Sequence, residues 1–122
     1  MNRVVHFEFG VEDPERASKF YSKVFSWKIE KWEGPEDYWL VTTGLKDQPG
    51  IDGGLMRHKD GTPRCINTIA VSSVDEYCKR VTKSGGKVVV PKMAIPGVGY
   101  QAYCEDTEGN LFGIHQQDPK AK

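Results

Sequence analysis

Three residues carry side chains suited to acid–base or metal chemistry in positions that pair them. Val4 to Phe9 reads V-V-H-F-E-F, so His6 and Glu8 alternate with Val5, Phe7 and Phe9 at the spacing of a strand with one polar and one apolar face. A neutral imidazole beside a carboxylate serves proton transfer or divalent-metal binding, because both uses draw on the same lone pairs. His115 stands two residues after Gly113 in a closing strand-like run and therefore shares that glycine's face. The plainer assignment makes His6 a hydrogen-bonded interior residue and leaves Glu8 and His115 at a solvated rim. His58, set among Arg57, Lys59, Asp60 and Gly61, reads as an exposed loop residue. The aromatics Trp32, Tyr38, Trp39, Tyr100 and Tyr103 fall on strands or their ends, where flat side chains either line a small-molecule pocket or seal a sheet. Trp39 and Tyr103 are taken as the pocket-lining pair. Cys104 has no basic neighbour to lower its pKa and reads as a buried, inert thiol. Pro96-Gly97-Val98-Gly99 is a hairpin loop and not a phosphate cradle, since no helix follows it.

The elements that hold these residues can be read along the chain. Asp13-Pro14 supplies a helix cap and a first-turn proline, after which Ala17, Phe20, Tyr21, Val24 and Phe25 recur at helical spacing. Strand-like pieces follow at Trp27–Trp32, Tyr38–Thr43 and Gly50–Arg57, separated by Glu33-Gly34-Pro35 and Asp47-Gln48-Pro49-Gly50. The series then starts again. Asn67–Ser72 reads as a strand, Ser73 and Glu76 make a capping box ahead of Val74, Tyr77, Cys78 and Val81, and Gly85-Gly86 stops the helix. Strands are expected at Lys87–Pro91, Gly99–Glu105 and Asn110–Gln116, the last two joined by Asp106-Thr107-Glu108-Gly109.

An offset of 60 residues superposes the halves: Val11 falls on Val71, Asp13 on Ser73, Lys19 on Lys79, Ile29 on Val89, Leu40 on Tyr100 and Gly53 on Gly113. One domain is expected over residues 1–122, with modules of about 1–60 and 61–122. Lys plus Arg and Asp plus Glu both number 17, so no charge excess favours nucleic acid as a partner. No apolar run approaches the roughly 20 residues that cross a bilayer, and Met1-Asn2-Arg3 opens no signal-peptide core, so no membrane partner is expected. Three cysteines without CxxC spacing suit free thiols and a cytoplasmic setting.

The segment V-V-H-F-E-F-G-V-E-D-P-E-R-A-S-K-F-Y-S-K-V-F-S-W, from Val4 to Trp27, resembles the opening of the vicinal oxygen chelate (glyoxalase/bleomycin-resistance) superfamily. Lys83-Ser84-Gly85-Gly86-Lys87-Val88 and the run from Pro96 to Gly113 resemble its second helix end and last hairpin. The resemblance implies an α+β fold of two βαβββ modules curved into an eight-stranded open cup, doubled in a homodimer. Its enzymes hold a divalent metal with four His or Glu side chains, on the first and last strand of each module, so that a substrate oxygen can reach a Lewis acid.

Carried onto this sequence, those ligand positions fall on His6, Gly53, Ile66 and Gly113, and only His6 can coordinate. Asp52, beside Gly53, is expected on the opposite face. A catalytic metal takes about three protein ligands, so no metal or other cofactor is expected. The expectation is a metal-independent small-molecule-binding protein whose cup uses His6, Glu8, Trp39, Tyr103 and His115. The other reading is a lyase, isomerase or oxygenase with His6, Glu8 and His115 as a displaced metal site or acid–base set.

Overall fold

A computed structural model describes residues 2–58 and 64–122. These residues form eight strands and two helices in the order β1 (Val4–Val11), α1 (Pro14–Phe25), β2 (Lys28–Lys31), β3 (Tyr38–Thr42), β4 (Asp52–Arg57), β5 (Arg64–Ala70), α2 (Val74–Lys83), β6 (Lys87–Ile95), β7 (Gly99–Glu105) and β8 (Leu111–Gln117). The chain is thus α+β, with the βαβββ series expected from the sequence running twice. It clusters into two compact units, His6–Cys65 and Ile66–Lys122, the latter joined by the N-terminal residues up to Val5. They are called here the first and second modules. The expected boundary near residue 60 lies outside the described residues.

In the first module the strand order is β2-β3-β4-β1, with β1 parallel to β4 and the other pairs antiparallel. The Asp13 carboxylate accepts from the Arg16 N–H at 3.1 Å and starts α1. Ser26, at φ 60, ends it. Trp39, Val41 and Leu55 form the buried core, packed by Phe7, Phe9, Val11, Ala17, Trp27 and Ile29. Of the apolar positions expected on α1, Ala17 and Tyr21 turn inward, Tyr21 stacking on Phe9 and Trp27, whereas Phe20, Val24 and Phe25 stay more than half exposed.

The second module has the order β5-β8-β7-β6, with β5 parallel to β8. Ser73 Oγ accepts from the Glu76 N–H, and Gly85, at φ 96, follows the last turn of α2. Val71, Val74, Ala102, Cys104 and Ile114 make its core. β6 runs on to Ile95, past the expected end at Pro91, because register shifts between Val88 and Met93 let the strand pass the proline.

The strand registers correct the offset between the modules. Glu8 pairs with Gly54, and Thr68 pairs with Gly113, so Gly54 and not Gly53 is the counterpart of Gly113. The same one-residue slip puts Val88, not Val89, in the place of Ile29: Val88 packs on its core and Val89 is exposed. Leu40 and Tyr100 do not correspond, since Leu40 is exposed while Tyr100 packs against the helix-side core.

Candidate functional site

The alternation of β1 sends Phe7 and Phe9 into the core and His6 and Glu8 to the other face of the sheet. Tyr38 joins them there. It is the first residue of β3, its ring lies over the Cα of Gly54, and any side chain at 54 would overlap that ring. The Tyr38 hydroxyl stands between the two polar residues, 2.7 Å from His6 Nε2 and 3.0 Å from Glu8 Oε2. A phenol has one proton. With that proton donated to the Glu8 carboxylate, His6 Nε2–H must be the donor to the phenol oxygen, which leaves Nδ1 as the imidazole's acceptor when the ring is neutral.

Glu8 is only 6% exposed, so it is a buried carboxylate held by a hydrogen-bond chain and not the rim residue of the plainer assignment. Burial pushes the His6 pKa below its ordinary 6.5, and the nearby Asp52 charge opposes this without overcoming it. Asp52 is therefore not on the opposite face: it pairs with His6 in the β1–β4 register and accepts from the Thr43 N–H at 2.9 Å. The sequence reading excluded it only because the face was assigned from Gly53.

The His6 shift sets a pH dependence with a definite sign. A histidine whose folded pKa is depressed gives stability that is complete above the unfolded value of 6.5 and is lost as pH falls below it, because the unfolded chain takes the proton first. The wild-type melting temperature should drop between about pH 7 and about pH 5 more steeply than that of His6→Gln. Equal slopes in the two proteins would mean that the imidazole protonates freely in the fold.

Trp39 does not belong to this face. It is 5% exposed in the first-module core, with Lys31 Nζ 5.5 Å and the Arg57 guanidinium 5.8 Å from its ring, both cations also held by Asp37. These two hydrogen bonds hold the Asp37 carboxyl below its usual range. The strand Y-W-L-V-T places one of its two adjacent aromatics on each face, and the outward one is Tyr38. His58 is half-buried instead of exposed, its N–H donating to the Val11 carbonyl at 3.1 Å. Lys59, Asp60 and Gly61 lie outside the described residues.

His115 and Tyr103 stand in the second module. β7 alternates Tyr100, Ala102 and Cys104 toward the core with Gln101 and Tyr103 on the other face, where Gln101 pairs with His115 and Tyr103 with Gly113. His115 Nδ1 lies 3.0 Å from Gln101 Oε1, and since that oxygen can only accept, Nδ1 donates. Thr68 and Gln101, both buried, complete this face and were missed in the sequence. Cys104 behaves as expected: it is fully buried, and burial pushes its thiol up to about 11.

Among the described residues no group of three His, Cys, Asp or Glu side chains could hold a metal ion. At the counterparts of the superfamily's ligand positions stand His6, Gly54, Ile66 and Gly113, and His6 Nε2 is already bonded to Tyr38. This donor set does not fit a divalent metal.

A family model described as Glyoxalase/Bleomycin resistance protein/Dioxygenase superfamily matches residues 3–114. A "Glyoxylase-like domain-containing protein" of Didymella fabae is 30% identical over 115 residues, covering 88% of each chain. Among solved structures, methylmalonyl-CoA epimerase of Mycobacterium tuberculosis superposes with a TM-score of 0.72 at 15% identity, over 94% of this chain and 87% of its own. A hypothetical protein of Bacillus halodurans C-125 gives 0.70 at 14% identity over 99% and 98%. A variant of Streptomyces coelicolor methylmalonyl-CoA epimerase, in complex with 2-nitronate-propionyl-CoA, gives 0.72 at 12% identity over 100% and 99%. Two βαβββ modules and a match across nearly the whole length place this chain in the glyoxalase/bleomycin resistance protein/dioxygenase superfamily, to which it belongs.

Proposed function

We propose that this chain is a metal-independent small-molecule-binding member of its superfamily, working as a cytoplasmic homodimer, with its ligand met by the polar face that carries His6, Tyr38 and Glu8. The observation that carries the reading is the Tyr38 hydroxyl, 2.7 Å from His6 Nε2 and 3.0 Å from Glu8 Oε2. A metal shared by those two side chains would need the position that the hydroxyl fills. Ligand oxygens would then be recognised by hydrogen bonds from a prearranged phenol–imidazole–carboxylate chain, and affinity would come from apolar contact around it. The balanced charge and the lack of any helix among the described residues long and apolar enough to cross a membrane support a small-molecule partner over nucleic acid or lipid. The cytoplasmic setting is supported by three free cysteines.

The test is elemental analysis of the purified protein together with thermal melting. Less than a tenth of an equivalent of divalent metal per chain is expected, with a melting temperature unmoved by chelator. Metal near one equivalent, lost on His6→Ala, would sink the reading.

The same hydrogen-bond chain favours one second reading, an isomerase or lyase in which His6 Nδ1 takes a proton from the substrate. The fold is shared with epimerases of methylmalonyl-CoA, an isomerisation for which a relay of this kind is suited.

A further inference from the structure

The helix side of the second module carries chemistry that its polar face does not use. Cys78, on α2, and Cys104, on β7, belong to one packed cluster, and their thiols are hydrogen-bonded to each other. Cys104 is wholly buried. Cys78 is half-buried and lines an open groove of about 420 Å³ together with Lys79, Thr82, Lys83 and Val88. Val88 is the direct partner of Cys104 in the β6–β7 ladder, so the floor of the groove lies beside the buried thiol. A reagent in the groove therefore meets Cys78 first and reaches Cys104 only through it.

The charge around this groove has one sign. Lys79 and Lys83 stand one helical turn apart on its rim and are exposed, and neither is in an ion pair among the described residues. The carboxylates of the same helix are already engaged, Asp75 by Lys92 at 2.9 Å and Glu76 by Arg80 at 3.5 Å. The Thr82 hydroxyl turns back to donate to the Cys78 carbonyl at 3.0 Å. Two ammonium groups over an apolar, thiol-bearing floor suit a small molecule with anionic ends and an apolar middle.

We propose that Cys78 and Cys104 are a dithiol pair that undergoes exchange with a small anionic disulfide drawn in by Lys79 and Lys83, closing a disulfide between α2 and β7. The inference is independent of the binding role proposed above. The Cys78 thiolate attacks one sulfur of the reagent, forming a mixed disulfide and expelling the other half as a thiolate. Cys104 then attacks the Cys78 sulfur, and the second half leaves. One reagent disulfide is reduced to two thiols, two protein thiols are oxidised to one disulfide, and the two thiol protons pass to the departing thiolates or to water.

The two thiols differ in the way this order requires. Burial above all, and then the Asp75 charge, raise the Cys78 pKa, while the hydrogen bond from Cys104 lowers it, so Cys78 is the favoured thiolate and exchange at neutral pH is slow. The Cys104 thiol is raised by burial first, then by the Cys78 charge and the hydrogen bond to it. The last two causes vanish once Cys78 is bonded to the reagent.

The exposed Cys65 would react by itself, so the test uses Cys65→Ser protein. Dithiobis(nitrobenzoate), a dianion, releases a coloured thiolate at each step. Two equivalents per chain are expected, with a final protein mass lower by two hydrogens and a peptide that joins α2 to β7. Adding Cys104→Ala should give one equivalent and a lasting adduct on Cys78. Adding Cys78→Ala should leave less than about a tenth of an equivalent from the folded protein, because the remaining thiol is buried. Lys79→Gln with Lys83→Gln should slow release about three- to tenfold, while the neutral reagent dithiodipyridine keeps its rate within about twofold.

Should Cys104→Ala unfold, the thiolate count and mass of the Cys65→Ser protein still decide. One equivalent with a persisting adduct in that protein, release from the Cys78→Ala variant, or no reaction short of unfolding each overturns the inference. So does a lysine double variant that slows both reagents equally or neither, since the groove would then have no preference for an anion.

Discussion

Leu55→Ala is expected to remove about 2–5 kcal/mol of folding free energy. Leu55 is wholly buried on β4, the strand paired with both β1 and β3, and its direct neighbours across those ladders are Phe9 and Trp39. The void left by three lost carbons could shrink only if those aromatics moved in. Trp39 is held by the cations of Lys31 and Arg57 over its ring, and Phe9 is stacked on Tyr21, so little collapse is available and the upper half of the range applies. Against a total of about 5–15 kcal/mol for a domain of this size, the loss is large. Urea unfolding should show a lower midpoint at an unchanged slope. Leu40→Ala, on β3 but 43% exposed, should stay within about 0.5 kcal/mol and serves as the control. Comparable losses from both variants would refute the account of the core.

Gly53→Ala and Gly54→Ala should fail in different ways, although the residues are adjacent. A Cβ at 53 would run into the Phe7 carbonyl oxygen and lie 2.6 Å from its ring carbons. Backbone atoms in a central parallel ladder cannot yield, so a loss of about 1–3 kcal/mol or more follows from overpacking alone. A Cβ at 54 meets the Tyr38 ring, a side chain that can swing away. The strand then survives, but the phenol leaves His6 and Glu8 and the buried carboxylate loses a donor, at about 1–3 kcal/mol.

Combination with Tyr38→Phe separates the two causes. Losses should add for Gly53→Ala, and they should overlap for Gly54→Ala, where the hydroxyl has already been displaced. An NMR titration of His6 should move toward the ordinary 6.5 only in the Gly54 variant, as water enters the vacated space. Additive losses in both double variants would mean that Gly54 has no special relation to Tyr38.

These contrasts also mark where the sequence was readable. Helix starts were legible because Asp13-Pro14 and Ser73 with Glu76 are local signals that act through the nearest amides, and both caps form. The face of β1 was legible because His6 and Glu8 alternate with Phe7 and Phe9. No such alternation exists in Tyr38-Trp39-Leu40-Val41 or in Asp52-Gly53-Gly54-Leu55. There the face of each residue is set by strand register, which depends on partners distant in sequence, and a one-residue error exchanges the faces. That single error sent Asp52 to the wrong side, and the same lack of alternation left nothing in Tyr38-Trp39 to tell which aromatic faces outward. Thr68 and Gln101 were hidden for a different reason: neither residue type signals chemistry until its burial is known.

The one-residue slip between the modules has a further meaning. Once Gly54 is matched to Gly113, the repeats differ where their topology is most alike: a carboxylate at 8 stands against a hydroxyl at 68, and a phenol at 38 against an amide at 101. At these matched positions the first module sets a carboxylate and a phenol in one hydrogen-bond chain with His6, while the second sets a hydroxyl and an amide, the amide holding the imidazole of His115. The same strand plan thus presents unlike chemistry in its two halves. An imidazole stands on the polar face of both halves, so what tells the twins apart is its neighbours: a phenol and a buried carboxylate beside His6, a neutral amide beside His115.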